Sequence, residues 1–176
     1  MIPHMDTSRL KFNRCIPVIM AIEGGLVHNT ADPKGLTKYG ISQRSYPELD
    51  IAHLAQADAE DIYFRDFWTY IKCGELPDGL DLSVLDFGIN AGPLNAEITM
   101  QRLVGIVQYQ PIGPETLHAI ATCGISNKAL VDRYAQARMR FYQYLQSWRT
   151  FGSGWTSRVE RIRTASLAMV VDPCVP

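Results

Sequence analysis

Cysteine is sparse and scattered in this sequence. Cys15, Cys73, Cys123 and Cys174 form no C-x-x-C pair. That spacing excludes the common structural zinc motifs, and four free thiols are expected rather than a disulfide framework. His4, His28, His53 and His118 are equally dispersed and lack metal-ligand spacing, so no metal and no cofactor are expected. No apolar run approaches the ~20 residues of a membrane span, so no membrane insertion is expected. A signal-peptide pattern is missing as well. His4 and Asp6 stand at the start, and Lys11, Arg14 and Pro17 interrupt the stretch from Leu10 to Ile22. Synthesis in a cytoplasm, without a signal peptide, is the expectation. There is no internal repeat and no low-complexity segment.

What is present suits one globular unit. The chain has 176 residues, 47% of them hydrophobic, and a net charge of −1. A single domain over 1–176 is expected, and disorder is argued against. The near-neutral total hides an asymmetry. Residues 1–127 carry 9 Lys/Arg against 15 Asp/Glu, a balance of −6, and residues 128–176 carry 8 against 3, a balance of +5. A basic end can meet an anionic polymer or can be a solvated helix face.

The pattern reads as mainly α. Ser8 can cap a helix over Arg9 to Ile22, with Leu10, Cys15, Ile16, Ile19 and Ile22 as its apolar stripe and Gly24-Gly25 as its stop. Residues 25–42 read as a loop or short hairpin, with a short strand within Thr37–Ile41. Helices are further expected over Ile51–Ile71, Asp81–Ala91, Asn95–Val104, Pro114–Ala121, Asn127–Trp148 and Trp155–Val171, with a turn at Thr150–Gly154. Asp86 and Asn90 lie four apart on one face of an otherwise apolar helix. Such a pair must be hydrogen-bonded, either lining a cleft or forming a buried network that holds the 25–42 loop.

One segment carries chemistry. Glu23 stands where an apolar helix meets two glycines, with Asp32 nine positions on and Thr37 fourteen on. Half burial favours the protonated form of a carboxyl group, and a protonated glutamic acid can protonate a leaving oxygen. Glycoside hydrolysis needs that acid, and usually a second carboxylate on the other face of the sugar. Glu23 is the natural acid, while Asp32 and Thr37 can hold a water. Gly40 allows close backbone approach to a sugar, and Tyr39 can stack on one or pack internally. The competing reading is a helix-end glutamate in solvent beside an Asx turn at Asp32-Pro33. Arg138 and Arg140 can reach wall-peptide carboxylates or pair with the acidic half, and pairing is favoured. The tryptophans Trp68, Trp148 and Trp155 are expected in the core rather than as sugar platforms.

These residues also carry a resemblance. Glu23-Gly24-Gly25-Leu26, Asn29, Asp32-Pro33-Lys34-Gly35, Thr37 and Tyr39-Gly40-Ile41-Ser42 resemble the signature of glycoside hydrolase family 108. Ala59 to Trp68, Asp86 with Asn90-Ala91-Gly92, Gln101–Gly105 and Ile112–Leu117 follow in the family's order. So do Arg138, Phe141-Tyr142, Gly154-Trp155 and Arg158. The departures are Lys34-Gly35 for the usual paired glycine, and a 107–114 loop without its Asp-Gly turn.

The resemblance implies a lysozyme-like helical domain with a small loop or β element at the cleft. It implies a catalytic half over 9–92 and a peptidoglycan-binding-like half over 93–172. The implied activity is that of an N-acetylmuramidase acting on peptidoglycan glycan strands, of endolysin or secretion-activator type. Glu23 would be the catalytic acid, with Asp32 and Thr37 beside it and Tyr39, Gly40, Asp86 and Asn90 at the substrate. A monomer, made in the (host) bacterial cytoplasm and acting on the wall, is expected. Two other readings compete. One is a non-catalytic wall-binding protein on the same fold. The other is a nucleic-acid-binding module on the basic C-terminal helices, opposed by the acidic majority of the chain.

Overall fold

The computed structural model describes residues 7–24, 26–28, 36–107 and 109–170, with 26–28 described in backbone only. Seven α-helices and one three-stranded antiparallel sheet are found among them. The helices are α1 (Thr7–Glu23), α2 (Gln56–Tyr63), α3 (Leu80–Ala91), α4 (Pro93–Leu103), α5 (Pro114–Thr122), α6 (Asn127–Gln143) and α7 (Trp148–Met169).

α3 is the centre. It packs against α1, α4, α6 and α7, and every residue from Leu80 to Gly88 is buried. This is what an apolar helix without a polar stripe must do. Glycines bound it at both ends, and Gly79 (φ +84°) allows an approach that few other residues would. A Cβ there would lie 2.3 Å from the Ser166 carbonyl of α7. Asp81 in the first turn accepts from the backbone N–H groups of Gly79 and Leu82, at 2.9 and 2.7 Å.

α1 buries Phe12, Cys15, Ile16 and Ile19 against this core, and it runs through Pro17, which stays on the exposed side. Ser8 does not cap the helix as expected. It lies in the first turn and its hydroxyl accepts from the Trp68 indole at 2.9 Å. The helix expected over 51–71 is divided. A short 3₁₀ turn (Ile51–His53) precedes α2, and a π-helical turn over Phe64–Thr69 follows it. The wider turn carries buried Trp68, whose ring meets Phe12 edge-on at 5.5 Å.

Pro114 opens α5 as expected, and Ser126 caps α6 by accepting from the Ala129 N–H. The expected turn at 150–154 does not form, and α7 continues through Gly152 and Gly154. The reason is local packing. A Cβ on Gly152 would lie 2.9 Å from the Trp148 ring, so the glycine makes room for the indole one turn back.

The strands are β1 (Leu26–His28), β2 (Leu36–Lys38) and β3 (Ile41–Ser42), in order β1-β2-β3. Thr37 lies opposite Val27 on one side and Ser42 on the other. Lys38 pairs with Ile41, so Tyr39 and Gly40 form a two-residue hairpin turn. Both have positive φ, +50° and +77°, which matches the twist of a tight antiparallel pair. The single strand expected at 37–41 is therefore a strand, a turn and a second strand.

Phe87 is the sequence's strongest commitment to this core. It is fully buried and meets Tyr134, Phe141 and Tyr142 edge-on at 5.2–6.1 Å. Phe87→Ala should cost about 3–5 kcal/mol in a urea unfolding titration. A loss below about 1 kcal/mol would show that the α3–α6 contact is not central.

Candidate active site

Glu23 is the last residue of α1, and its side chain keeps 15% of its surface exposed. Gly24, at φ +71°, ends the helix. The β2–β3 turn lies directly on the carboxyl group. A Cβ added to Gly40 would stand 2.7 Å from Glu23 Oε2 and 2.3 Å from the Tyr63 hydroxyl. Tyr63, buried on α2, donates to the Tyr39 carbonyl at 2.7 Å. The turn is thus fastened beside Glu23 from the α2 side. Burial pushes the Tyr63 hydroxyl well above the usual phenol range, and the neighbouring Glu23 charge adds to it, so this hydroxyl stays a donor.

The other side is ionic. Arg158 of α7 donates from Nη2 to Glu23 Oε1 at 2.5 Å and from the same nitrogen to Asp86 Oδ1 at 2.7 Å. Its Nε lies 3.1 Å from both Asp86 oxygens. Arg138 of α6 reaches the second Asp86 oxygen through Nη1 at 2.6 Å. Arg138 also donates to the Tyr142 hydroxyl through Nε and Nη2, at 3.1 and 3.0 Å. That hydroxyl donates in turn to Asn90 Oδ1 at 2.5 Å. A chain of polar groups therefore runs from Glu23 through Arg158, Asp86, Arg138 and Tyr142 to Asn90.

The sequence-derived residues separate into groups. Glu23, Tyr39 and Gly40 are brought together. Thr37 is on β2 of the same hairpin, half-buried. Asp32 lies outside the described residues. Asp86, expected at the substrate, is instead 0% exposed with both oxygens engaged by arginines. A carboxylate sealed in this way cannot meet a sugar, and it reaches Glu23 through Arg158. Asn90 is exposed, with its carbonyl oxygen taken by Tyr142. Arg138 is paired with an acid, and Trp68 is in the core. Among the described residues no group of three His, Cys, Asp or Glu could hold a metal ion, and no helix is long and apolar enough to cross a membrane. Cys15, Cys73 and Cys123 are free thiols.

Sequence reasoning missed the roles of Arg158 and Tyr63. Arg158 is separated from Glu23 by 135 positions, and no local pattern links them. The sequence carries no distinguishing signal for it, because Arg158 is one of several arginines on a basic helix and α3 carries Asp81 as well as Asp86.

The glycosyl hydrolase 108 family model matches residues 16–92, a span that contains Glu23, the hairpin and Asp86. SagA of Brucella abortus, a solved structure, is 31% identical over 95% of this chain and 99% of its own, with a TM-score of 0.85. The chain belongs to glycosyl hydrolase family 108. It is a glycoside hydrolase with a lysozyme-like, mainly helical fold, of a family that acts on peptidoglycan. A comparison with curated proteins found no match.

Gly40→Ala strains a positive φ and drives a methyl group against Glu23 and Tyr63. It should lower wall-clearing activity at least tenfold, on the order of 1.4 kcal/mol, with far-ultraviolet circular dichroism unchanged. Full activity would show that the turn does not set the Glu23 position. For Asp86, burial acts to raise the carboxyl, but the Arg138 and Arg158 guanidiniums together outweigh it and hold it below the ordinary range. Its ionised form therefore contributes stability that is complete above the unfolded carboxyl value of about 3.9 and is lost as pH falls through the lower folded value. Asp86→Asn should lose about 3–5 kcal/mol at neutral pH and flatten the acid limb of stability against pH. An unchanged limb in chemical unfolding would refute this.

Proposed function

We propose that this chain is an N-acetylmuramidase that cleaves the β-1,4 bond between N-acetylmuramic acid and N-acetylglucosamine in peptidoglycan, with Glu23 as general acid. The observation that carries the reading is the setting of Glu23. It is a partly exposed carboxyl at a helix end, pressed by a glycine turn on one side and held by an arginine on the other. Such a group is fixed in direction yet open to a substrate, which positioned proton transfer requires.

In the proposed reaction, protonated Glu23 gives its proton to the leaving glycosidic oxygen as the bond from that oxygen to the anomeric carbon breaks. A water forms the new bond to that carbon and gives up its proton. Asp32 takes that proton in this reading, and the Thr37 hydroxyl bridges the carboxylate and the water. The exposed Gly40 backbone, Tyr39 and Asn90 meet the sugar. Asp86 belongs behind the site rather than at the substrate. No cofactor is needed for this chemistry. In this reading the protein acts as a monomer on glycan strands of the wall, and the endolysin-type lytic role is the one that the resemblance of its motif series implies.

The test is loss of turbidity of purified Gram-negative peptidoglycan, with wild type and Glu23→Ala compared after both are shown to be folded. Clearing is expected from wild type and should fall by at least about a hundredfold in the variant. Reducing-end analysis of the fragments should give N-acetylmuramic acid at the new ends. Clearing by both proteins would place the acid elsewhere. Clearing by neither, with sedimentation on the wall retained, would make this a wall-binding protein.

A further inference from the structure

We propose that Arg158 and Asp86 are positioning residues for Glu23: Arg158 fixes the direction of the carboxyl, and Asp86 absorbs enough of the guanidinium charge for Glu23 to hold a proton. This rests on the proposed role of Glu23 as the acid.

An arginine beside a general acid creates a conflict. A cation at hydrogen-bond distance favours the carboxylate form, whereas the acid must be protonated before it can act. The geometry answers the conflict by division. One Nη2 nitrogen carries two N–H groups, and here it serves two carboxylates, Glu23 at 2.5 Å and Asp86 at 2.7 Å. Asp86 takes the larger share, because Nε also faces both of its oxygens at 3.1 Å. Glu23 receives a single donor from the edge of a guanidinium already matched elsewhere.

Charge counting gives the same result. With Glu23 ionised, the two carboxylates and the two guanidiniums cancel. With Glu23 protonated, one positive charge is left over. Without Asp86, that protonated state would hold two positive charges in a largely buried cluster. Arg138 is held off from Glu23 by Asp86, its fork turned to the Tyr142 hydroxyl and its cation 5.1 Å from the centre of the Phe87 ring. The groups facing Glu23 are thus Arg158 from α7, with Asp86 of α3 and Arg138 of α6 behind it. Tyr63 of α2 faces it beside the Gly40 turn and remains a neutral donor.

The roles separate by the sign of a pH shift. The alkaline limb of the activity profile reports loss of the proton from the acid. Asp86→Asn leaves the Arg158 charge uncompensated and should move that limb to lower pH, by on the order of one unit. Arg158→Met removes the cation and should move the limb to higher pH, while kcat falls because the carboxyl is no longer aimed. Arg158→Lys keeps the charge and should leave the limb near its wild-type position, with kcat partly restored. A merely structural role would lower activity without moving the limbs apart.

The experiment records clearing rates of purified peptidoglycan across pH for wild type and these three variants, each checked by thermal melting. Opposite shifts for Asp86→Asn and Arg158→Met support the inference; unmoved limbs, or shifts in one direction, overturn it. Should Asp86→Asn fail to fold, the Met and Lys variants of Arg158 decide, and identical limbs in both overturn it. Glu23→Gln runs alongside. If it still clears the wall, the proposed function fails; if it is inactive and the limbs stay put, this inference fails alone.

Discussion

Asp86 is a carboxylate in the middle of a helix that has no surface to offer it. α3 is buried along nearly its whole length, and a charge there must find cations inside the protein. It finds two, Arg138 on α6 and Arg158 on α7. Taking the three charges out of water costs several kcal/mol per ion, and the attraction offsets this only with good geometry. The bonds of 2.6–2.7 Å and the fork of Arg158 provide it. This requirement fixes how α6 and α7 lie against α3. Because Arg158 continues to Glu23, it also fixes where the end of α1 lies relative to α7.

The opposite wall of the site follows from sterics rather than charge. Gly40 is the one residue type that can turn the chain at φ +77° while touching both Glu23 and Tyr63. Tyr39, with a positive φ of its own, is in a conformation that non-glycine residues seldom adopt. The bond from Tyr63 to its carbonyl stabilises the turn in place. A small sheet of three short strands would be marginal alone. Here it is held by the sheet pairing, the Tyr63 bond and the bond from Lys38 Nζ to the Ala52 carbonyl at 3.0 Å.

What could be read from the sequence was what is local. Helical spacing located α1, α3, α4 and α5 to within a few residues, because each buries a stripe or a whole surface. Glu23, Tyr39 and Gly40 lie within a short span, so adjacency along the chain became adjacency in space. The failures have physical causes as well. Gly152 and Gly154 read as a turn because glycine is a poor helix former, yet Gly152 is in α7 to accommodate the Trp148 ring. The π-helical turn at 64–69 has no pattern distinct from ordinary helical spacing. Asp86 and Asn90 left two readings open, and the structure buries Asp86 against two arginines while Asn90 stays exposed. The arginine at Glu23 comes from the far end of the chain, where a single sequence offers only a basic helix.

The family model ends at residue 92, near the end of α3, and the segment it covers includes the glutamate, the hairpin and Asp86. Both cations that balance these acids lie beyond it, on α6 and α7. The acidic first part of the chain and the basic last part are thus complementary within one fold, and part of the charge asymmetry is consumed internally. Arg138 and Arg158 are not available to an anionic polymer, which weakens the nucleic-acid reading of the basic end. A fragment ending near residue 92 would leave Asp86 unpaired and Glu23 without its donor. The similarity to SagA, by contrast, extends over 95% of the chain. The charge arrangement at Glu23 belongs to that whole span, because three helices from both sides of residue 92 must meet before the carboxyl of α1 has a defined direction.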